Sequence, residues 1–236
     1  MQVYYDDPSH TYYTVSPTGE KTYYTSATTL INKYKKPFDT DAIAIGYAKK
    51  HGETPAYWKA KWAEKRDNAC AHGTAIHKNK EDLITPFAPR PIKAVEQLID
   101  YSTLPEGIYP ELKLWHHDYK VAGRSDKCTI HSVLGVRYMD IEDYKTNEDL
   151  LKPAYVNYWG ETSMMLPPIQ QFSDCKMNHY TLQLSLYQFM AESLGFAAGK
   201  RVIIHIRDGI EQTFEVPYLR NAVINLLNDY IKSNGT

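Results

Sequence analysis

Three polar residues set in otherwise apolar stretches carry the first sign of chemistry: Asp126, Asp143 and Lys145. In the run Tyr138 to Thr146, strand alternation places Met139, Ile141, Asp143 and Lys145 on one face. The apolar pair turns that face toward a core, so a carboxylate and an ammonium end a buried stripe. Burying both is costly unless they are paired or bound to something. Asp140, Glu142 and Tyr144 take the opposite face, which makes Asp143 a better candidate than Glu142. In the preceding run, Val121 to Ile130, the same alternation predicts Asp126, Cys128 and Ile130 on a single face. Two antiparallel strands with inward acids in register would bring the carboxylates together. Such oxygen donors suit Mg2+ or Mn2+, which keep several waters and also take phosphate oxygens. A cation removes the repulsion that the paired acids would otherwise suffer.

An acid followed at a distance by acid-x-Lys is a weak pattern by itself, and a surface salt bridge is its usual explanation. Its company gives it weight. His77 closes the run Gly73-Thr74-Ala75-Ile76-His77, with Glu81 one turn on, and Gln183 and Tyr187 stand four apart on one helical face. Taken singly, His77 reads as a core or helix-capping histidine. Gln183 and Tyr187 read as polar groups facing a sheet, and Glu111 as an acid opening a strand.

Together the pieces resemble the RecB-like branch of the PD-(D/E)xK nucleases, a group similar to phage exonucleases and the mitochondrial genome maintenance exonuclease. The matching residues, in order, are Gly73 to His77, Glu111, Gly123-Arg124-Ser125-Asp126, Asp143-Tyr144-Lys145-Thr146 and Gln183 to Tyr187. Each is degenerate, but five in order over roughly half the chain make a specific joint signal. The resemblance implies a restriction-endonuclease-like α/β (α+β) core, a central mixed sheet flanked by helices. It implies Asp126 and Asp143 as metal carboxylates, His77 as a further ligand and the Tyr144 carbonyl as another. Lys145 would orient or activate the attacking water and offset transition-state charge. Gln183 and Tyr187 would support the site and contact DNA, and Glu111 joins the catalytic set. Where the family usually has Pro before the first Asp, this chain has Ser125.

The activity implied is divalent-metal-dependent DNA exonuclease action in recombination, repair or genome processing, on single- or double-stranded DNA. A recombination partner protein is compatible with that role. An endonuclease would use the same residues, and a non-catalytic DNA-binding module would have no need for Asp126, Asp143 and Lys145 together. Hydrolysis of some other phosphoester is disfavoured only by the basic, aromatic N-terminal half. One related group holds an iron–sulfur cluster on four cysteines. Cys70, Cys128 and Cys175 are too few and too scattered, so no iron–sulfur cluster is expected, nor any zinc or disulfide framework. The stretch Gly195 to Arg201 has its glycines one residue too close for a phosphate loop, with Arg201 replacing Ser/Thr. It reads as a helix stop before a strand, and no ATP site is expected.

The elements that must position these residues follow from pattern. Thr11–Val15 and Lys21–Tyr24 flank a Pro/Gly turn as a β-hairpin. Ser26 or Thr28 would cap a helix running through Tyr34 and ended by Pro37. Ala42–Lys50 and Pro55–Leu83 read as helices, the second with Trp58, Trp62, Ala69, Ile76 and Leu83 near one face. Gly73, unfavourable within that helix, points to a close approach. Ile92–Tyr101 is expected to be helical. Ile108–Tyr119, Lys120–Ile130 and Val136–Lys145 are expected strands, then Tyr180–Leu194 a helix closed by Gly195. Two strands, Val202–Ile206 and Gln212–Val216, precede a last helix, Leu219–Ile231. The aperiodic stretch Glu148–Asn178 is long enough to suggest an ordered lid or wall.

A single nuclease domain over residues 1–236 is expected, with a hairpin and helical region at 1–105 carrying His77 and the catalytic sheet at 106–236. Net charge is −1, which argues against a passive nucleic-acid coat and hardly at all against a nuclease, whose metal site needs clustered carboxylates. A local bias underlies that total: Lys35, Lys36, Lys49, Lys50, Lys59, Lys61 and Lys65 interleave with Tyr34, Tyr47, Tyr57, Trp58 and Trp62. Lysines there suit phosphates and aromatic rings suit bases, although solvated helices share the pattern. No apolar run is long enough to span a membrane. Met1 to Asp7 lacks signal-peptide character, so a cytoplasmic location in a bacterial or phage-infected cell is expected.

Overall fold

The computed structural model describes residues 3–6, 9–89 and 99–234. Eight strands form one mixed sheet. The N-terminal strands β1 (Tyr4–Asp6), β2 (Thr11–Val15) and β3 (Lys21–Ser26) pair antiparallel in sequence order. The β2–β3 turn closes where Gly19, at φ +86°, donates its N–H to the Ser16 carbonyl at 2.9 Å. Ser26 then caps α1 (Ala27–Asn32) by accepting from the Thr29 N–H, as its side-chain chemistry predicts.

The central strands are β4 (Gly107–His116), β5 (Val121–Val133) and β6 (Val136–Lys145), followed by β7 (Ala197–Arg207) and β8 (Ile210–Glu215). β4 runs antiparallel along one edge of β5. The other edge is shared: β3 pairs parallel with its start, at Val121 and Ala122, and β6 pairs antiparallel with its end, from Lys127 to Val133. Between them, from Gly123 to Asp126, β5 and β6 have separated, while β6 continues alongside β7 through Asp143, Tyr144 and Lys145. This split in the sheet is where the candidate site lies.

Helix α4 (Lys176–Ser193) packs on one face of the sheet and is buried throughout from Thr181 to Ala191. α1 and α5 (Arg220–Asn234) cover its outer side, and Leu226 and Leu227 of α5 join the main core with Leu182 and Leu186. On the opposite face, Ile76 of α3 (Pro55–Ile84) meets a small cluster of Tyr144, Ile204 and Ile206. α2 (Thr40–His51) packs on α3.

Most expected elements are present with shifted ends. α4 begins one turn early and β7 extends beyond Val202–Ile206 at both ends. Gly195, at φ +96°, stops α4 before β7, which fits the reading of Gly195–Arg201 as a helix stop. The expected helix Ile92–Tyr101 falls mostly outside the described residues, and its end, Ile99 to Tyr101, is not helical. The apolar face expected on α3 is not a core face: none of its residues is buried, and Leu83 is 59% exposed. Glu148–Asn178 is irregular as far as Cys175 and only partly packed: Tyr155, Tyr158 and Trp159 are exposed, and its last residues open α4. Met165 and Ile169 are buried, and the Leu166 N–H reaches the Tyr34 carbonyl at 2.8 Å. Among the described residues no helix is long and apolar enough to cross a membrane.

Candidate metal centre

The predicted alternation of β6 is observed. Met139 and Ile141 are buried, and Asp143 follows them into the core at 2% exposure. Lys145 lies next on the same face and forms an ion pair with Asp143. Its ammonium also sits 4.6 Å from the centre of the Tyr180 ring. Gln183, on the buried face of α4, donates from Nε2 to Asp143 Oδ1 at 3.4 Å and to the Tyr187 hydroxyl at 3.1 Å. Tyr187 in turn lies against Gly123, where a Cβ would stand 2.3 Å from the ring's Cε1. Glycine at 123 is thus what lets the α4 tyrosine reach the sheet.

The expected placement of Asp126 with Cys128 and Ile130 on one face does not hold. Along β5 the fully buried positions run Gly123, Ser125, then Cys128, Ile130, so the phase changes at Asp126. β4 changes phase opposite it, from Tyr109 to Leu112, across Glu111. The change falls where Glu111 is held at φ +52°, a conformation rare for a residue with a side chain. The regular pairing is interrupted there, between Pro110↔Lys127 and Leu112↔Ser125. Asp126 is thereby turned toward α3: its Oδ1 lies 3.3 Å from His77 Nδ1, and its Oδ2 accepts the Tyr144 N–H at 2.7 Å. Tyr144 therefore enters through its backbone N–H as well as through a ring packed against α3.

The result is a compact donor set. Ligand atoms of His77, Glu111 and Asp126 all lie within 4.8 Å of one another. Gly73 lets α3 come this close, since a Cβ there would meet Thr146 Oγ1 at 3.2 Å. The approach predicted from that glycine is therefore present. Asp143 lies beside the set, near enough for its charge and that of Asp126 to act on each other.

Electrostatics show a site with more acid than its own cations satisfy. Burial pushes the Glu111 carboxyl up to about 7, with Asp126 adding and Arg124, paired to it at 2.5 Å, opposing. Burial and the Asp126 charge push Asp143 up to about 6 despite Lys145. Asp126 is held low: burial opposes this, but His77 and Lys145 outweigh it. His77 is raised because Asp126 outweighs the effect of its burial. Lys145 is raised in the same way by Asp143 and Asp126, so it stays an ammonium. One imidazole nitrogen and clustered carboxylates, two of them reluctant to ionise unaided, fit a divalent cation.

The structure thus brings together His77, Glu111, Asp126, Asp143, Tyr144, Lys145, Gln183 and Tyr187. Glu111, which sequence supports least, is at its centre. Two participants had no role in the sequence reading: Tyr180 was not singled out, and Arg124 stood only inside its motif. Tyr180 covers Lys145 and donates to Asn147 Oδ1 at 3.2 Å, and Arg124 forms an ion pair with Glu111. Tyr180 could have been found, because it precedes Gln183 by three residues and shares its helix face.

No family model matches the chain, and no curated protein does. Among solved structures it is similar to the crystal structure of SSO0001, at 13% identity and TM-score 0.43, covering 88% of this chain and 75% of that one. It is also similar to a crystal structure from Eubacterium rectale whose exonuclease assignment is itself provisional. That match has 11% identity and TM-score 0.33, covering 86% of this chain and 71% of the other. At these identities and scores neither likeness carries weight for function.

Proposed function

We propose that the chain is a divalent-metal-dependent nuclease that hydrolyses DNA phosphodiester bonds, acting as an exonuclease. The observation that carries this reading is the convergence of His77, Glu111 and Asp126 beside the Asp143–Lys145 pair, at the split between β5 and β6. A Mg2+ or Mn2+ ion held by His77, Glu111 and Asp126, with Asp143 beside them and the Tyr144 carbonyl as the further ligand the motif resemblance implies, would polarise a phosphoryl oxygen and acidify bound water.

The chain's own groups supply the rest. Lys145, kept protonated by its acidic neighbours, is a donor to the phosphoryl group and offsets the negative charge that builds there. It orients the attacking water rather than deprotonating it. Water adds to phosphorus and gives up a proton to solvent, the opposite P–O ester bond breaks, and the departing strand oxygen takes a proton back from solvent, so the net change is one water consumed per bond cut. Gln183 fixes the Asp143 carboxylate, and Tyr187 fixes Gln183, so the α4 pair positions the acid from below. The preference for strand ends rests on the resemblance of the motif series to exonucleases. The experiment is digestion of end-labelled linear duplex and single-stranded DNA with Mn2+, Mg2+ or EDTA, beside closed circles. Metal-dependent loss of linear DNA alone is expected. Cutting of circles would make the enzyme an endonuclease, and no cleavage by folded, metal-bound protein would refute the nuclease reading.

A further inference from the structure

α3 has 30 residues and none is buried. At 1.5 Å per residue it is about 45 Å long. Its C-terminal half delivers His77 to the metal centre. Its N-terminal half packs with α2 through exposed and half-exposed rings: Trp62 lies 5.2 Å from Tyr47 and 6.4 Å from Trp58, and the Lys61 ammonium sits 5.2 Å from the Trp58 ring. A groove of about 1050 Å³ separates this helix from the segment that follows β6. Lys61, Trp62, Lys65 and Arg66 line one wall, and Lys152 and Lys176 the other. The groove reaches Gly73 and Thr146, and Thr146 directly follows Lys145. Glu64, Glu148 and Asp149 also line it, leaving the five cations in excess. Lys65 already spans the groove to Glu148 at 3.1 Å, an exposed pair that a phosphate would displace readily.

We propose that this groove is the path of a single-stranded nucleic-acid segment, its bases against Trp62 and its phosphates along Lys61, Lys65, Lys152 and Lys176, leading past Thr146 into the metal centre. The substrate reading of that centre underlies the proposal. Charge and continuity favour this occupant: the excess cations match a polyphosphate, and the groove ends at Gly73 and Thr146, the latter next in sequence to Lys145. The single strand is favoured over duplex because an aromatic face can stack only on an unpaired base, whereas paired bases keep theirs inside the helix. A bound protein segment would not require lysines on both walls.

The test is fluorescence anisotropy of fluorescein-labelled dT20 and of a 20-base-pair duplex, with the full chain in EDTA so that binding is read without cleavage. Wild type is expected to bind dT20 more tightly than duplex. Trp62→Ala should weaken dT20 binding about ten-fold through lost stacking, and Trp62→Phe should restore most of it. Lys61→Ala with Lys65→Ala should lower the slope of log affinity against log salt by about 1.4, the share of two phosphate contacts on a single strand. Circular dichroism confirms that each variant is folded. Duplex binding as tight as dT20, or variants that bind dT20 like wild type, would overturn the proposal. If dT20 is held through these residues but survives when Mn2+ replaces EDTA, the groove stands and the hydrolytic reading falls. Cleavage of dT20 with binding unaffected by the substitutions removes the groove alone.

Discussion

Replacing Glu111 with Gln should stabilise the metal-free protein while weakening its response to metal. The Glu111 carboxyl is pushed from 4.5 to about 7 in the folded chain, chiefly by burial. Between those values the folded state binds more protons than the unfolded state, so stability falls as pH rises through the window and the whole penalty is present above it. A displacement of about 2.5 units corresponds to about 3 kcal/mol. Gln cannot ionise and keeps a carbonyl oxygen toward Arg124, at the loss of a charge-assisted contact. The expected net gain at pH 8 in EDTA is therefore about 1–3 kcal/mol, a rise in Tm of several degrees for a chain this size. Near pH 4 the difference should largely vanish. Added Mn2+ at a hundred times its Kd should stabilise wild type by about 2.7 kcal/mol and the variant by clearly less. Urea unfolding at both pH values, with EDTA or Mn2+, reads all four quantities. A variant less stable than wild type at pH 8 in EDTA, or one stabilised fully by Mn2+, would refute the assignment of Glu111 as a strained, half-buried ligand.

Lys145→Ala should still fold and bind Mn2+ yet lose cleavage roughly a hundred- to thousand-fold, as removal of one transition-state donor does; near-normal kcat would contradict its role. Calorimetric titration should show His77→Ala requiring more metal for saturation, with the activity curve displaced by the same factor, whereas an unmoved curve would make His77 a packing residue. Gly123→Ala should drive the Tyr187 ring off β5, lowering stability by about 1–3 kcal/mol and lowering kcat more than KM, because Gln183 loses its support. Unchanged kcat in a destabilised Gly123→Ala protein would separate the α4 pair from catalysis.

How much of this was legible in the sequence depended on whether a residue obeys a local period. Asp143 and Lys145 extend a regular alternation that starts at Met139, so their face could be read directly. Gln183 and Tyr187 obey the helical period in the same way. Asp126 was found as a residue but its direction was misjudged, because a change of strand phase leaves no periodic trace. The signal for that change sits on another strand, where Glu111 adopts its left-handed conformation for reasons that lie in the pairing of β4 with β5. The α3 helix was predictable in extent and not in burial. Its apolar residues fit a core-facing stripe, but the sheet below it offers contact only near Ile76, and the tryptophans meet α2 instead. The layered α/β architecture followed from element order, whereas the sharing of one β5 edge by β3 and β6 is a long-range arrangement that no local pattern encodes.

The unequal burial of α3 and α4 has a consequence for hydrogen exchange. Amides in α4 lie inside the main core, so their exchange should require opening of much of the fold. Those of α3 are covered by water along most of the helix, and the helix is anchored to the sheet near Gly73 and Ile76. Local opening of α3 would carry His77 away from Asp126 and leave Asp143, Gln183 and Tyr187 in place. The centre is then built from a slow-exchanging half that holds the acid and a fast-exchanging half that completes the donor set. Metal should slow exchange in α3 far more than in α4, and the protection it confers near His77 would measure, amide by amide, how tightly the two halves are joined.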